Sequence, residues 1–163
     1  MKIDIKPLID TAELKSLIGS PDLVIADAGS GGPAKEVHAL KHIEGAIYVD
    51  LNEDLSDIKE NAADGGRHPL PSAKDFGKTL GTLGITPDSH VVIYDDKGGA
   101  NAAARFWWML RSIGHEKVQV LNGGLQAAER QGLPINDAKV TAAATQAYPV
   151  TDWQWPTSTI DEV

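Results

Sequence analysis

The sequence contains no cysteine among its 163 residues. Disulfide bonds, thiolate metal sites and any mechanism that needs a thiol nucleophile on this chain are therefore excluded. No stretch approaches the roughly 18 apolar residues that cross a bilayer as a helix. Residues 1–7 alternate charged residues with isoleucine and lack the apolar core of a secretory signal, so we expect a cytoplasmic location.

Basic residues are also scarce: 15 Lys and Arg stand against 23 Asp and Glu, which gives a formal net charge of −8. Nucleic acids and anionic membranes are bound through basic faces, so we expect neither as a partner. A local site could still bind a small anion. His38, His90 and His115 lack metal-ligand spacing with one another or with an acidic cluster, so we predict no metal and no cofactor.

Short apolar runs alternate with amphipathic segments along most of the chain. The predicted strands are residues 23–27, 46–49, 90–94 and 117–121, and the predicted helices follow Asp10, Pro33, Ser72, Asn101 and Gly124. This alternation is typical of crossover connections in a parallel sheet. We therefore predict an α/β fold, doubly wound, with a mostly parallel four- to five-stranded sheet and helices on both faces.

The composition changes after Leu133 and Pro134. Residues 136–147 are rich in Ala and Thr without periodicity, and Trp153 and Trp155 follow between prolines. We therefore predict one domain over residues 1–135. Residues 136–163 are interpreted as an interdomain linker or arm and the start of a second domain that this chain lacks. The intervening polar stretch from Asn52 to Pro71 is predicted to be a surface excursion.

The loop after the strand at residues 90–94 is the best candidate for a site. Ligands of open parallel sheets gather beyond the carboxyl ends of the strands, and glycines at 98 and 99 permit close backbone approach. The loop offers no Cys, Ser or Thr nucleophile. Asp95 and Asp96 would repel an anion. One of these carboxylates is expected to accept backbone N–H groups or to cap the next helix. A metal ligand, an interdomain contact or a vestigial site are the alternatives.

Several motifs together resemble a known family. They are Val24-Ile25-Ala26-Asp27-Ala28, His42-Ile43-Glu44-Gly45-Ala46, Val91-Val92-Ile93-Tyr94-Asp95, Arg105-Phe106-Trp107-Trp108-Met109-Leu110-Arg111, and Leu121-Asn122-Gly123-Gly124. This set is similar to the amino-terminal domain of the rhodanese family of thiosulfate and 3-mercaptopyruvate sulfurtransferases. The resemblance covers about residues 8–135 and implies a rhodanese-like fold.

The resemblance also implies a division of labour. In that family a carboxyl-terminal rhodanese domain carries the cysteine that becomes a persulfide, in the loop that corresponds to Asp95–Ala100 here. The amino-terminal domain has lost the nucleophile and closes one wall of the cleft. The implied partners are that second domain and a small sulfur donor, and this chain alone is expected to be inactive, with no catalytic residue.

Seven residues are the implied cleft or interdomain candidates: His42, Arg67, Asp95, Asp96, Lys97, Gly98 and Arg105. In mercaptopyruvate-type members the histidine that matches His42 is proposed to assist catalysis with an upstream aspartate. Here that place falls near Pro33 and Ala34, with Glu36 the nearest acid, and the other interpretation is that His42 holds its loop through backbone hydrogen bonds.

Two arginines among these candidates have alternative interpretations. Arg105 either reaches toward the cleft or the second domain, where it could hold a carboxylate, or forms a surface ion pair. Arg67 and His68 either orient the substrate or belong to a solvated loop.

Three functions fit these features. The first is the amino-terminal half of a two-domain sulfurtransferase. The second is a stand-alone, catalytically inactive rhodanese domain with a binding or regulatory role. The third is an unrelated doubly wound domain that binds a phosphate or nucleotide, which the two aspartates and the lack of a Walker or dinucleotide fingerprint disfavour.

Overall fold

The computed structural model describes residues 4–163. The first three residues, part of the segment on which the cytoplasmic expectation rests, lie outside the described residues. The strands are β1 (Leu8–Ile9), β2 (Leu23–Asp27), β3 (His42–Ile43), β4 (Ile47–Tyr48), β5 (His90–Tyr94), β6 (Val118–Leu121) and β7 (Ile135–Asn136). The helices are α1 (Thr11–Leu17), α2 (Ala34–Leu40), α3 (Ala73–Thr82), α4 (Ala102–Ser112) and α5 (Gly124–Arg130), followed by a 3₁₀ turn at Ile160–Glu162.

Five strands form one parallel sheet in the order β1-β6-β5-β2-β4. The α/β fold with a mostly parallel sheet is therefore confirmed. Successive side chains of β5 point to opposite faces of the sheet, and helices cover both faces. Val91 and Ile93 pack into one apolar cluster with α3 and α4, whereas Val92 and Tyr94 pack into a second cluster with α1 and α5.

The strand order brings the carboxyl ends of the two central strands together. β2 and β5 are neighbours, and Asp27 is in register with Tyr94 at their last residues. The loops that leave β2, β4 and β5 therefore emerge at the same edge of the sheet, next to the reversal of strand order between β5 and β2.

Two short pairings were not predicted. β1 lies parallel to β6 at the sheet edge, and β3 pairs with β7 as a separate antiparallel ladder. Of the strands in these pairings, β1, β3 and β7 have only two residues each. A segment of that length cannot show a period of two, so its pairing depends on contacts that are distant in sequence.

The segment after residue 140 lies against the domain. Thr145 N–H donates to the Gly81 carbonyl at 2.8 Å, and Tyr148 N–H donates to the Gly77 carbonyl at 2.8 Å. Tyr148 is buried, and the indole N–H of Trp153 donates to the Pro71 carbonyl at 3.0 Å. The two α3 glycines leave room for this backbone. The domain boundary near residue 135 and the linker role of 136–163 stay predictions.

Candidate functional site

A pocket of about 660 Å³ lies beyond the carboxyl ends of β2, β4 and β5. We call it the strand-end pocket. The loop after β2 supplies residues 29–32 and the start of α2, the segment after β4 supplies residues 48–52, and the long loop of residues 52–71 supplies its far end. The lining residues are Gly29, Ser30, Gly31, Gly32, Lys35, Glu36, Tyr48, Asp50, Leu51, Asn52, Arg67, His68 and Asn101.

The loop after β5 is filled by its own first residue. Asp95 is fully buried, and its carboxylate accepts four backbone N–H groups. Oδ1 accepts from Lys97 at 2.9 Å and from Gly99 at 2.7 Å, while Oδ2 accepts from Asn101 at 3.2 Å and from Ala103 at 3.1 Å. These four backbone donors are therefore occupied by the Asp95 carboxylate and are not free to hold an anionic ligand or a persulfide.

The other loop candidates lie outside the strand-end pocket. Asp96 Oδ2 is 3.4 Å from the exposed Lys97 Nζ, and the Asp96 carbonyl accepts from Gln126 Nε2 at 2.8 Å. Gly98 is exposed and has a φ of +71°, a conformation that favours glycine. Of this loop, Asn101 is the residue that reaches the pocket lining, and its side-chain amide donates to Ser30 Oγ at 2.7 Å.

Arg105 contacts backbone carbonyls of the long loop. Its Nε and Nη2 atoms donate to the Leu55 carbonyl at 3.2 and 2.8 Å, and Nη2 also donates to the His68 carbonyl at 3.1 Å. Within residues 4–163 it makes no ion pair. Burial lowers the pKa of the guanidinium. The side chain of Arg105 thus joins α4 to the long loop. The sequence pattern did not reveal this contact.

Arg67 and His68 do line the pocket. Arg67 is exposed and makes no ion pair within the described part of the chain, and neither does Lys35 on the opposite side. His68 is held by Nε2, which is 3.0 Å from Asn52 Oδ1. The pocket therefore combines two cations with the carboxylates of Glu36 and Asp50, an arrangement suited to a small polar ligand that carries an anionic group.

His42 is buried and is not among the residues that line the pocket. Its Nδ1 is 2.6 Å from the His38 carbonyl, its ring stacks on the His38 ring at 4.3 Å, and its Nε2 has no hydrogen-bond partner among residues 4–163. Glu36, the acid that the resemblance offered as its nearest partner, lines the pocket instead. The contact with the backbone is the one seen, and the catalytic role stays a prediction.

An acid–histidine pair was not predicted from the sequence. His38 Nδ1 lies 2.8 Å from Asp27 Oδ2, and both side chains are almost buried. Asp27 Oδ1 accepts the Gly29 N–H at 2.9 Å, so the aspartate also shapes the first turn of the pocket loop. The position of Asp27 at the end of an apolar strand could have indicated a residue of the site. His38 was set aside because it lacks metal-ligand spacing, a criterion that does not test for a single carboxylate partner.

Tyrosines near this pair are held in the neutral form. Burial is the largest cause that raises the pKa of Tyr48, and Asp50 adds to it. Burial likewise raises the pKa of Tyr94, followed by the charge of Asp27. The Tyr94 hydroxyl oxygen accepts the Ile43 N–H at 3.2 Å. Both phenols are thus hydrogen-bonding groups and not bases in this site.

Within residues 4–163, His, Asp and Glu side chains form no group of three or more that could hold a metal ion. No helix in the described part of the chain is long and apolar enough to span a membrane. The predictions of no metal and no cofactor stay predictions.

Comparison with known proteins defines the class. The family model described as a rhodanese-like domain matches residues 10–131. The thiosulfate/3-mercaptopyruvate sulfurtransferase 2 of Arabidopsis thaliana is 38% identical over 154 residues, which cover 87% of this chain and 43% of that protein. The 3-mercaptopyruvate sulfurtransferase of Escherichia coli K12 is 35% identical over 129 residues, which cover 76% of this chain and 44% of that protein.

Solved structures agree. The 3-mercaptopyruvate sulfurtransferase from Leishmania major superposes with a TM-score of 0.78 at 26% identity, covering 90% of this chain and 41% of that one. The chain belongs to the rhodanese family, and its relatives by sequence are thiosulfate and 3-mercaptopyruvate sulfurtransferases. The chain spans about half the length of the curated relatives it matches.

Proposed function

We propose that this chain is the non-catalytic half of a two-domain sulfurtransferase that acts on thiosulfate or 3-mercaptopyruvate. A second rhodanese domain supplies the cysteine that forms the persulfide, and this domain forms one wall of the cleft. The relatives' names and the half-length coverage support the assignment to one half of a two-domain sulfurtransferase. A cytoplasmic location also remains part of the proposal.

The observation that carries the proposal is the filled loop after β5. A rhodanese loop that accepts a sulfur atom needs a thiolate and free N–H donors around it. This chain has no cysteine, and four N–H groups of the loop and of the start of α4 bind the Asp95 carboxylate. The loop therefore lacks the nucleophile, and these four donors are not free to hold a sulfur atom.

The strand-end pocket supports a role of this domain in binding the sulfur donor. It is open at the carboxyl edge of the sheet, where ligands of such folds bind, and Arg67 and Lys35 line it without carboxylate partners. A small sulfur donor carries a sulfonate-like or carboxylate group that such cations bind. We assign this pocket to the donor side of the cleft.

The test is a thiosulfate and cyanide assay with this chain alone and with the product of its gene read beyond Val163. We expect no thiocyanate above the uncatalysed rate from the chain, and turnover from a longer product that contains a cysteine-bearing rhodanese domain. Exchange of that cysteine for serine should abolish turnover. A longer product without a second rhodanese domain would overturn the proposal and favour a stand-alone binding domain.

A further inference from the structure

The long loop, residues 52–71, contains no helix or strand, yet it forms the far end of the strand-end pocket. A loop of this length without regular structure keeps one conformation only if specific contacts hold it. Among the contacts that do so, three are important for the argument. The Leu55 side chain is fully buried, the Asp57 N–H donates to the Pro69 carbonyl at 2.9 Å, and Arg105 binds from α4.

The Arg105 contacts join two points that are far apart in the loop. Leu55 and His68 are separated by 13 positions, and one guanidinium binds both carbonyls. The planar fork of arginine presents several N–H donors at fixed angles, which suits two carbonyls at once. The second of these carbonyls belongs to His68, a pocket residue, and the residue before it is Arg67.

The surroundings make this contact stronger than an exposed one. The Arg105 side chain is half-buried, and within the described residues no carboxylate lies within ion-pair distance. Hydrogen bonds from a charged donor are the stronger class, and they strengthen further where water is excluded. These carbonyls stabilise a half-buried charge that has no counter-ion nearby in residues 4–163, so the loop and the guanidinium hold each other in place.

We infer that Arg105 is a positioning residue of the cleft, whose guanidinium holds the long loop against α4 so that Arg67 and His68 form one wall of the strand-end pocket. The inference deepens the proposed function and rests on it in one respect, which is that the ligand contacted by this wall is the small anionic sulfur donor. The mechanical part concerns only the loop and can be tested separately.

Trypsin measures the mechanical part, because Lys59 and Arg67 are cleavage sites within the loop. The variant Arg105→Met keeps an unbranched apolar stem but donates no hydrogen bond. We expect cleavage after Arg67 under native conditions to accelerate about tenfold or more, since proteolysis follows the population of the opened loop. Cleavage after Lys139, in an exposed segment outside the loop, should stay within about twofold of the wild-type rate.

Two further variants complete this experiment. Arg105→Lys retains the charge but not the fork, so its loop cleavage should lie between the wild type and Arg105→Met. Arg111→Met removes an arginine of the same helix. Arg111 donates to the Glu116 carbonyl at 3.3 Å, outside the loop, so the cleavage pattern of this variant should match the wild type. If Arg105→Met cleaves at the wild-type rate after Arg67, or accelerates equally at all sites, the positioning role is wrong.

The ligand part is measured by NMR titration of the chain with sodium thiosulfate at constant ionic strength. We expect Arg67→Gln and Arg105→Met each to raise the dissociation constant about three- to tenfold. The double variant should bind no more weakly than Arg67→Gln alone, because both changes remove the same contact. Wild-type affinity in a variant whose loop opens to trypsin would overturn the role in the cleft.

The two arms separate the inference from the proposed function. If thiosulfate shifts no amide of the wild-type chain, the donor contact and with it the ligand part of the inference fail. The trypsin result then still decides whether Arg105 holds the loop.

Discussion

Replacing Asp95 by asparagine keeps the shape of the side chain but removes its charge and one acceptor atom. The carboxylate accepts four backbone N–H groups, two on each oxygen. In the variant the amide oxygen can serve one pair, while the amide NH₂ faces the other pair and repels it.

The expected loss follows from those two bonds. Hydrogen bonds to a charged group contribute about 1.5–3 kcal/mol each, so losing one pair costs about 3–6 kcal/mol. Folded domains are stable by about 5–15 kcal/mol, so Asp95→Asn should fold but be markedly weakened. Urea unfolding followed by tryptophan fluorescence should show the midpoint lowered by about 1.5–3 M at unchanged slope.

Asp96→Asn is the matched control, since it removes the same charge one residue later. Asp96 makes one long ion pair to an exposed lysine, and its other oxygen is buried without a hydrogen-bond partner in the described part of the chain. Its free energy of unfolding should change by less than about 1 kcal/mol. If Asp95→Asn costs no more than Asp96→Asn, the view that Asp95 occupies the loop donors is refuted.

Three further predictions concern other parts of the chain. Lys97→Cys should give no efficient persulfide formation from thiosulfate, because Asp95 still occupies the loop donors and opposes a thiolate; persulfide mass spectrometry measures this. Gly81→Ala should lower the free energy of unfolding by about 1–3 kcal/mol in urea, since a Cβ there would lie 2.5 Å from the Gln146 carbonyl oxygen. Burial lowers the pKa of His115 below its ordinary 6.5, so the unfolded chain binds the proton more readily and stability should fall as pH drops below about 6.5.

Each of these has its own control. Persulfide yields near those of active relatives in Lys97→Cys would show that the charge argument is wrong. Lys78→Ala, at an exposed position on the same helix, should be nearly neutral, and equal losses in the two helix variants would contradict the packing argument. His115→Gln should flatten the fall in stability between pH 7 and 5 that we expect of the wild-type protein, whereas His68→Gln should retain it.

Local sequence signals predicted the parts of the fold that depend on local chemistry. The apolar runs at residues 23–27 and 90–94 became the two central strands, and the polar stretch from Asn52 to Pro71 became a loop without helix or strand. A carboxylate at the start of a glycine loop was expected to accept backbone N–H groups, and Asp95 does so because a short acidic side chain reaches its own loop.

Contacts between segments that are distant in sequence could not be predicted from local sequence patterns. The two-residue strands β1, β3 and β7 have no period of their own. The bond from Arg105 to the Leu55 carbonyl joins residues 50 positions apart, and no residue type marks a backbone carbonyl as a partner. The Asp27–His38 pair depends on the turn between β2 and α2, which places a helix side chain over a strand end.

Intact-mass spectrometry after incubation with thiosulfate shows whether this chain, which has no cysteine, can hold a sulfur atom. We expect a mass unchanged from that of the untreated chain. A stable gain of one sulfur atom, removed by cyanide with release of thiocyanate, would show that the domain itself carries sulfur.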